Sequence, residues 1–276
     1  MKIYRKLLNL LKIKRGIDEV GLVYKVLRSK GGESDIPVMI DVGAHYGSSL
    51  KRFAEDGWQV YAIEPDKENR ERLLAKYGDY SNIAIDDRAI SDKEARNLPF
   101  FTSDVSTGIS GLSRFDESHK ESGTVTATTL DNFISEKEIK NVDFLKIDTE
   151  GYDLFVLKGL GWTAVSPDVV VCEFENNKTE PLGYQFNDIA RFLQEKGYSI
   201  LVSEWYPIVR YGGNHRWRRF GIYPCDLVDN RGWGNIIGCK DEKIFQKLCA
   251  TARNVSITMT VRGIIDIRRV FGRLFD

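Results

Sequence analysis

The sequence predicts an α/β fold in which helices cover both faces of a doubly wound, mainly parallel sheet. Three short segments, residues 38–42, 142–147 and 168–174, are mostly apolar. Strands that helices cover on both faces have this composition, because neither face meets water. Between such segments the chain shows helical patterns, for example at 66–78 and 185–196. This alternation of strand and helix favours parallel strands joined by crossover helices.

Length and charge indicate one large domain with an extension at each end. The chain has 276 residues, 42% of them hydrophobic, which is enough for a single core. We expect amphipathic helices over residues 1–32, the sheet domain over 33–253 and a basic amphipathic tail over 254–276. Lys plus Arg equal Asp plus Glu at 40 each, so bulk charge gives no support for a nucleic acid partner. The oligomeric state stays open.

Cysteine use and hydropathy favour a reduced, cytoplasmic protein. The four cysteines form no C-x-x-C pair, and no apolar run reaches transmembrane length. Residues 1–15, MKIYRKLLNLLKIKR, predict a basic amphipathic helix that either packs on the domain or lies on an anionic inner membrane face. A second helix is predicted at 18–30, ended by Gly31 and Gly32, and the tail VRGIIDIRRVFGRLF is again basic and amphipathic.

The first strand runs into a glycine turn with the character of a ligand site. Asp41 ends the apolar segment, and Gly43 and Gly47 permit positive φ and a close approach of a ligand to the backbone. Ser48 or Ser49 can cap the helix that follows. A helix N-terminus with free amides favours a carboxylate or a phosphate.

The spacing of this turn excludes a dinucleotide fingerprint. In the pattern G-x-G-x-x-G counted from Gly43, the next two glycine positions hold His45 and Ser48, and the register that ends at Gly47 fails likewise. An acid two residues before the first glycine suits a cofactor with an amino acid group instead. Asp41 can meet an ammonium while the turn amides hold a carboxylate, and S-adenosylmethionine has both groups.

The second and third strands supply further candidates for cofactor binding. Residues 58–64 predict a strand that ends in Glu64, which is placed to accept the two ribose hydroxyls. The alternative for Glu64 is a surface or helix-capping carboxylate. Residues 82–90 predict the third strand and its exit loop. Asp87 could accept a hydrogen bond from the exocyclic amine of adenine, and the Ala89 backbone could contact the adenine ring.

A polar insertion follows the third strand. LPFFTS and TVTATTL predict two strands that flank the Ser-, Thr- and Gly-rich loop TSDVSTGISGLSRF. Such a loop in an α/β enzyme is either a substrate lid or a disordered connection, and we favour the lid.

Carboxylates also follow two later strands. Asp148 and Glu150 come directly after the central strand in NVDFLKIDTEGYDLFVLKGL, where open sheets bind ligands, although Glu150 could simply cap the next helix. Glu173 ends the strand DVVVCEF. The loop at 204–227 interleaves aromatic residues with His215 and several arginines, a surface that could stack on sugar rings and pair with a phosphate. Its alternative is an ordinary basic loop whose aromatic residues anchor it to the core.

Six segments of residues 37–175 stand out together: DVGAHYG, AIEPDKEN, NIAIDDRAISD, TLDNF, VDFLKIDTEGYDLFVLKGL and VVVCEFE. This combination resembles the FkbM family of S-adenosylmethionine-dependent methyltransferases, and the long fifth segment is its most specific part. The resemblance implies a class I methyltransferase, Rossmann-like sheet of seven strands. It also implies O-methylation, commonly of a hydroxyl on a sugar or a natural product.

The cofactor roles of the family carry over to six positions of these motifs, which are Asp41, Gly43, Gly47, Glu64, Asp87 and Asp148. The candidate cofactor-binding residues are Asp41, Gly43, His45, Gly47, Ser48, Glu64, Pro65, Asp87, Ala89 and Asp148. His45 stands where the family often has Asn, so an Asn-like role is not assumed for it.

The implied reaction transfers the sulfonium methyl in line to a hydroxyl oxygen of a sugar or glycan. The acceptor classes include a lipid-linked glycan and a cell-surface polysaccharide. Because a sugar hydroxyl is weakly acidic, a base would accelerate transfer by roughly 10² to 10⁴-fold. The candidates for that work are Asp148, Glu150, Glu173 and His215. If a metal such as Mg²⁺ is used instead, Asp148, Glu150 and Glu173 are its predicted oxygen ligands.

Two alternative functions share the predicted sheet. A nicotinamide-dependent sugar dehydrogenase or epimerase would need the glycine fingerprint, which is missing, and a Tyr-x-x-x-Lys pair, for which Tyr61, Tyr152 and Tyr184 all fail the spacing. A non-catalytic glycan or membrane adaptor could retain the fold. The intact carboxylates at the strand ends argue against it.

Overall fold

The structure is a computed structural model that describes residues 16–28 and 36–272, with side chains described up to residue 257. The predictions for residues 1–15, for Gly31 and Gly32 and for the side chains of the tail lie outside these residues. The helices are α1 Glu19–Leu27, α2 Lys51–Glu55, α3 Lys67–Tyr77, α4 Leu130–Glu136, α5 Asp153–Lys158, α6 Asn176–Thr179, α7 Phe186–Glu195 and α8 Glu242–Gly272. The strands are β1 Val38–Val42, β2 Gln59–Ile63, β3 Ile83–Asp86, β4 Ala89–Ile90, β5 Ala95–Ser103, β6 His119–Thr128, β7 Phe144–Ile147, β8 Val169–Glu175, β9 Ser199–Trp205, β10 Trp217–Ile222 and β11 Trp233–Cys239.

The main sheet has eight strands in the order β10-β9-β11-β8-β7-β1-β2-β3. The five strands from β8 to β3 are parallel, whereas β11 runs antiparallel to both β8 and β9. The prediction of a doubly wound, mainly parallel sheet is confirmed. Non-consecutive neighbours such as β1 and β7 require crossovers, and these place helices on both faces.

The expected number of seven strands was one too few. The eighth is β10, an edge strand that pairs with β9 inside a segment predicted as a loop. Its register shifts between Trp217 and Arg219, which breaks the alternation by which a strand is recognised. Two of its arginines, Arg218 and Arg219, pair with Glu204 of β9 at 3.1 and 2.7 Å, so these charges belong to a strand pair.

Each face of the sheet has its own core. Ile40 and Val42 of β1 pack with α4, α5 and α7 on one face, and Met39 packs with α1, α2, α3 and α8 on the other. Four of the five residues of β1 are buried, including Asp41. Since β1 lies between β2 and β7, its carboxyl end is surrounded by the ends of both neighbours.

Residues 89–128 form a second, smaller sheet in the order β4-β6-β5. The two strands that were predicted in the insertion are confirmed as β5 and β6, which pair antiparallel. The polar loop between them contains a 3₁₀ turn, Thr107–Ile109.

The described parts of both extensions pack on the sheet domain. The carboxylate of Glu19 in α1 accepts from Ser203 Oγ and Trp205 Nε1, each at 2.7 Å, which ties this helix to β9. Helix α8 runs unbroken across the predicted boundary at residue 253, so the expected tail is the continuation of a domain helix. No helix in the described ranges combines the length and the hydropathy that a membrane crossing requires.

Candidate active site

The glycine turn after β1 is held between the ends of two neighbouring strands. Gly43 has φ 78°, and a Cβ at this position would lie 1.9 Å from the Asp148 carbonyl oxygen. The amides of Gly43 and Ala44 both donate to the Ile63 carbonyl, at 2.9 and 3.0 Å. Only glycine combines this backbone conformation with this close approach.

Gly47 is needed for a different reason. Its φ is 70°, and a Cβ there would meet Tyr77 Cε2 at 2.5 Å, so the residue closes the turn against α3. The Tyr77 hydroxyl donates to the Gly47 carbonyl at 2.8 Å. The predicted serine cap is absent, because α2 has no side-chain cap and Ser49 Oγ donates to Asp41 instead. Gly47 therefore packs the turn against α3, while Ser48 is exposed on the side of the cavity.

Two adjoining cavities lie at this end of the sheet. The larger, about 180 Å³, is bounded by His45 and Ser48 of the turn and by Asp148 and Glu150 after β7. The smaller, about 40 Å³, is an apolar slot whose wall includes Pro65, Ala89, Ile90, Phe100 and Leu112. Gly43, Glu64 and Ser110 border both cavities. A polar cavity beside an apolar slot matches the two ends of a nucleoside that carries an amino acid.

Glu64 stands at the junction of the two cavities. Its side chain is nearly buried, and the residue is 5% exposed. Its Oε2 accepts from the His45 amide at 2.7 Å and its Oε1 from the Asp66 amide at 2.9 Å. Burial raises the pKa of Glu64 to about 7, although both amides oppose the shift. The carboxylate thus lies where the ribose of a bound nucleoside would be expected.

Asp41 lies beneath the larger cavity and not in its wall. Its residue is 0% exposed. The cation that it meets is Lys146 of β7, whose Nζ is 3.2 Å from Asp41 Oδ1 and 3.3 Å from Asp148 Oδ2. Burial raises the pKa of Asp41, and the positive charge of Lys146 opposes this shift. The carboxylates of Asp41 and Asp148 in turn hold the pKa of Lys146 above its usual range. The expected ammonium contact of Asp41 is therefore made within the protein.

Lys146 was missed in the sequence, although a signal for it existed. A lysine inside the otherwise apolar strand FLKI must have a buried partner, because an unpaired charge is rarely buried. Asp148, by contrast, keeps a side chain that is 42% exposed and that borders the larger cavity. Of the two predicted acids, Asp148 is the one that faces ligand space.

The loop of the insertion covers this site. Thr107 Oγ1 is 3.1 Å from His45 Nε2 and also contacts the Tyr46 hydroxyl, and the Thr107 carbonyl accepts from Asn69 Nδ2 at 3.1 Å. His45 has φ 49°, an uncommon conformation for a residue other than glycine. The prediction of a loop over the site agrees with this position; whether it moves as a lid stays a prediction.

A cluster of glutamates surrounds a buried lysine at the ends of β7 and β8. Lys178 Nζ lies 2.5 Å from Glu150 Oε2, 3.0 Å from Glu173 Oε2 and 2.9 Å from Glu175 Oε2. Burial raises the pKa of Glu150 to about 7 and the pKa of Glu173 well above its usual range. The positive charge of Lys178 opposes both shifts. Glu150 also borders the larger cavity and has φ 55°. The cluster therefore connects the cofactor side of the site to the end of β8.

Asp153 fixes the geometry between the two strand ends. It accepts from Thr149 Oγ1 at 3.0 Å and from the Glu173 amide at 2.9 Å. Burial raises the pKa of Asp153 to about 6. Because these bonds span β7 and β8, they hold Glu150 and Glu173 in register.

The predicted metal ligands do lie together. Carboxylate oxygens of Asp148, Glu150 and Glu173 are all within 4.8 Å of one another, a set of hard oxygen donors of the type that Mg²⁺ prefers. Two of these residues, however, already bind the ammonium of Lys178. With Lys178 in place, the cluster has its positive charge and fits a resident divalent metal poorly.

Two further candidates lie away from the cavities. Asp87 is exposed and borders neither cavity; its neighbour Asp86 pairs with Arg88 at 3.0 Å. His215 is half-buried against Trp233, with ring centroids 5.1 Å apart, and burial lowers its pKa. His215 therefore borders the glutamate cluster from the side of the 204–227 loop, where the charges of Glu175 and Lys178 act on it.

Comparison with known proteins identifies the family. Residues 41–200, more than half of the chain, match the family described as Methyltransferase FkbM domain. The chain belongs to this family. The methyltransferase is S-adenosylmethionine-dependent, and its sheet is of the α/β class I type with an antiparallel C-terminal part. The predicted resemblance is confirmed.

One curated relative is 2-O-methyltransferase NoeI from Sinorhizobium fredii (strain NBRC 101917 / NGR234), which is 24% identical over 162 residues. The match covers 53% of this chain and 66% of NoeI. Precorrin-6y C5,15-methyltransferase from Geobacter metallireducens GS-15 superimposes with a TM-score of 0.42 at 12% identity, over 80% of this chain and 87% of that one. Magnesium protoporphyrin IX methyltransferase (ChlM) from Synechocystis PCC 6803 superimposes with a TM-score of 0.42 at 9% identity. This superposition covers 81% of this chain and 78% of that one. Superpositions of this quality locate no substrate.

Proposed function

We propose that this methyltransferase transfers the methyl group of S-adenosylmethionine to a hydroxyl oxygen of a sugar or glycan. The observation that carries the proposal is the position of Glu150. Its carboxylate borders the polar cavity beside the glycine turn, has a pKa raised to about 7 and is held from behind by Lys178. A general base works best when its pKa lies near the working pH.

The residues around the two cavities fit the cofactor. Gly43 lets the turn lie directly against the Asp148 carbonyl, where any Cβ would clash, and Glu64 offers a carboxylate between the polar cavity and the apolar slot. We assign Ser48, Lys146 and Asp148 to the amino acid end, Glu64 to the ribose, and Pro65 and Ala89 to the adenine. S-Adenosylmethionine supplies an activated methyl group on a sulfonium. Asp148, the exposed acid of the Asp41–Lys146–Asp148 row, faces that positive charge.

Glu150 takes the proton of the acceptor hydroxyl in this proposal, and it contributes roughly 10² to 10⁴-fold to the rate. Asp153 and Lys178 orient it from two sides. The fixed distance between the turn and the end of β7 aligns the acceptor with the cofactor, and such alignment can supply on the order of 7 to 11 kcal/mol.

The class of acceptor is supported by the surroundings of the cluster. Tyr211 and Trp233 are partly exposed rings near the glutamate cluster: the Tyr211 hydroxyl donates a hydrogen bond to Glu175, and Trp233 packs edge to face with His215. Aromatic faces next to acidic oxygens suit a sugar ring. The name of the relative, a 2-O-methyltransferase, specifies an oxygen as the methyl acceptor in that protein.

The proposal is tested by cofactor binding and by product analysis. Calorimetry should detect S-adenosylmethionine and not NAD. Labelled methyl groups should pass to the oxygen of at least one member of a sugar and glycan panel. Glu150→Gln should abolish this transfer while cofactor affinity stays unchanged, and Glu94→Gln, at an exposed position of the insertion, should behave as wild type. Binding of NAD, or methyl transfer only to nitrogen or carbon, would refute the proposal.

A further inference from the structure

The ammonium group of Lys178 is buried among three glutamates. It lies in α6, directly after β8, and its residue is only 3% exposed. Its Nζ donates to Glu150 Oε2 at 2.5 Å and to Glu173 Oε2 at 3.0 Å. Glu175 Oε2 lies 2.9 Å away as an ion-pair partner. A buried charge with this many matched partners is a built arrangement, because an unpaired ammonium would not be tolerated in the interior.

Two loops from different parts of the chain close over the ammonium. The ring of Phe115, from the insertion, lies 5.1 Å from Lys178 Nζ, and the ring of Tyr211, from the 204–227 loop, lies 5.5 Å away. The two rings meet edge to face at 5.8 Å, and the Tyr211 hydroxyl donates to Glu175 Oε1 at 3.0 Å. Lys178 thus lies between the cofactor cavity, which Glu150 borders, and two partly exposed aromatic rings.

We propose that Lys178 is a positioning residue that takes the place of a divalent metal in the acceptor half of the site, so that methyl transfer is metal-independent. This inference rests on the proposed O-methyltransferase function. Lys178 binds Oε2 of Glu150, and Glu150 also borders the larger cavity. It supplies the positive charge that would otherwise be required to hold Glu150, Glu173 and Glu175 close together.

Lys178 and a metal exclude each other in this cluster. A divalent ion bound to Glu150 and Glu173 would lie next to an ammonium that contacts the same two carboxylates, and like charges at that separation repel strongly inside a protein. Metal binding therefore requires that Lys178 leave. Removal of the lysine should create the metal site that the three predicted ligands resemble.

The test compares wild type with Lys178→Met by calorimetric titration with Mn²⁺, which needs no acceptor. Wild type should show no Mn²⁺ binding up to millimolar concentration, and Lys178→Met should bind it at least about tenfold more tightly once the competing charge is gone. In turnover assays, EDTA should leave wild type unchanged. Lys178→Met should lose kcat by about 100-fold or more, as expected when a reacting group is misplaced, with S-adenosylmethionine affinity unaltered. Lys158→Met, at an exposed position of α5, is the matched control and should differ in none of these measurements.

Two results would overturn the inference. One is Mn²⁺ binding by wild type that Glu150→Gln abolishes, which can be measured even if Lys178→Met does not fold. The other is a folded Lys178→Met protein with unchanged kcat, since a merely structural lysine would leave kcat intact. Neither result resembles failure of the proposed function, which would appear in wild type as absent cofactor binding or absent methyl transfer to oxygen.

Discussion

The buried carboxyl of Glu64 makes the stability of the cofactor-free protein depend on pH in a definite direction. Its pKa is raised from an ordinary value of 4.5 to about 7 in the folded protein. Between these values the folded protein binds a proton that the unfolded chain has lost, so stability falls as pH rises. The loss from this one group amounts to about 3 kcal/mol and is complete above about pH 7.

Replacement of Glu64 by Gln removes this dependence. The amide side chain can accept from only one of the two amides, His45 or Asp66, so at low pH the variant should be less stable than wild type by about 1 to 3 kcal/mol. Above pH 7 the wild-type protein carries the cost of the buried charge, and the variant does not. The difference in unfolding free energy between the two proteins should therefore shrink or reverse by about 3 kcal/mol between pH 5 and pH 8.

Urea denaturation at pH 5 and pH 8 measures both proteins. Glu150 and Asp153 also have raised pKa values, so the difference between variant and wild type, and not the wild-type curve, isolates Glu64. Glu71→Gln, which removes an exposed carboxylate from α3, is the matched control for the loss of a carboxylate. A Glu64→Gln difference that is equal at both pH values would refute the reasoning, because Glu64 would then not titrate near neutrality.

Three further outcomes are expected. Gly43→Ala should lose S-adenosylmethionine binding and unfold at lower temperature. The control is Gly57→Ala, since Gly57 also has positive φ but open space around it, and this variant should lose only about 1 kcal/mol of unfolding free energy. Equal effects of the two substitutions would contradict the close contact at Gly43. Lys146→Met should destabilise by about 3 to 5 kcal/mol, since Asp41 is left buried and unpaired. The double variant with Asp41→Asn should recover part of that loss, and strictly additive effects would argue against the pair. The full chain should float with anionic vesicles at low salt through residues 1–15, because each nearby basic residue adds about 1 kcal/mol of binding free energy. A full chain that never floats would contradict the membrane hypothesis.

The sequence was sufficient for the parallel part of the sheet and its helices, but not for the edge strand β10. Glycines with forced conformations and acids at strand ends are local signals, and Gly43, Glu64, Asp148 and Glu150 all border the larger cavity. What Asp41 faces is not local, because it depends on the residue that β7 places beside it. Lys178 likewise acquires its role only when β7 and β8 bring three glutamates together.

Thr107 gives the binding of the cofactor a kinetic signature. It joins the insertion to the cofactor turn through His45 and Tyr46, and to α3 through Asn69. The space beneath it, about 180 Å³, is smaller than the roughly 300 to 1,000 Å³ of pockets that hold ligands of this size. We therefore predict that these contacts break before S-adenosylmethionine enters. The observed association rate should therefore rise with cofactor concentration and then level off at the rate of loop opening, and that plateau should rise when the Thr107 hydroxyl is removed.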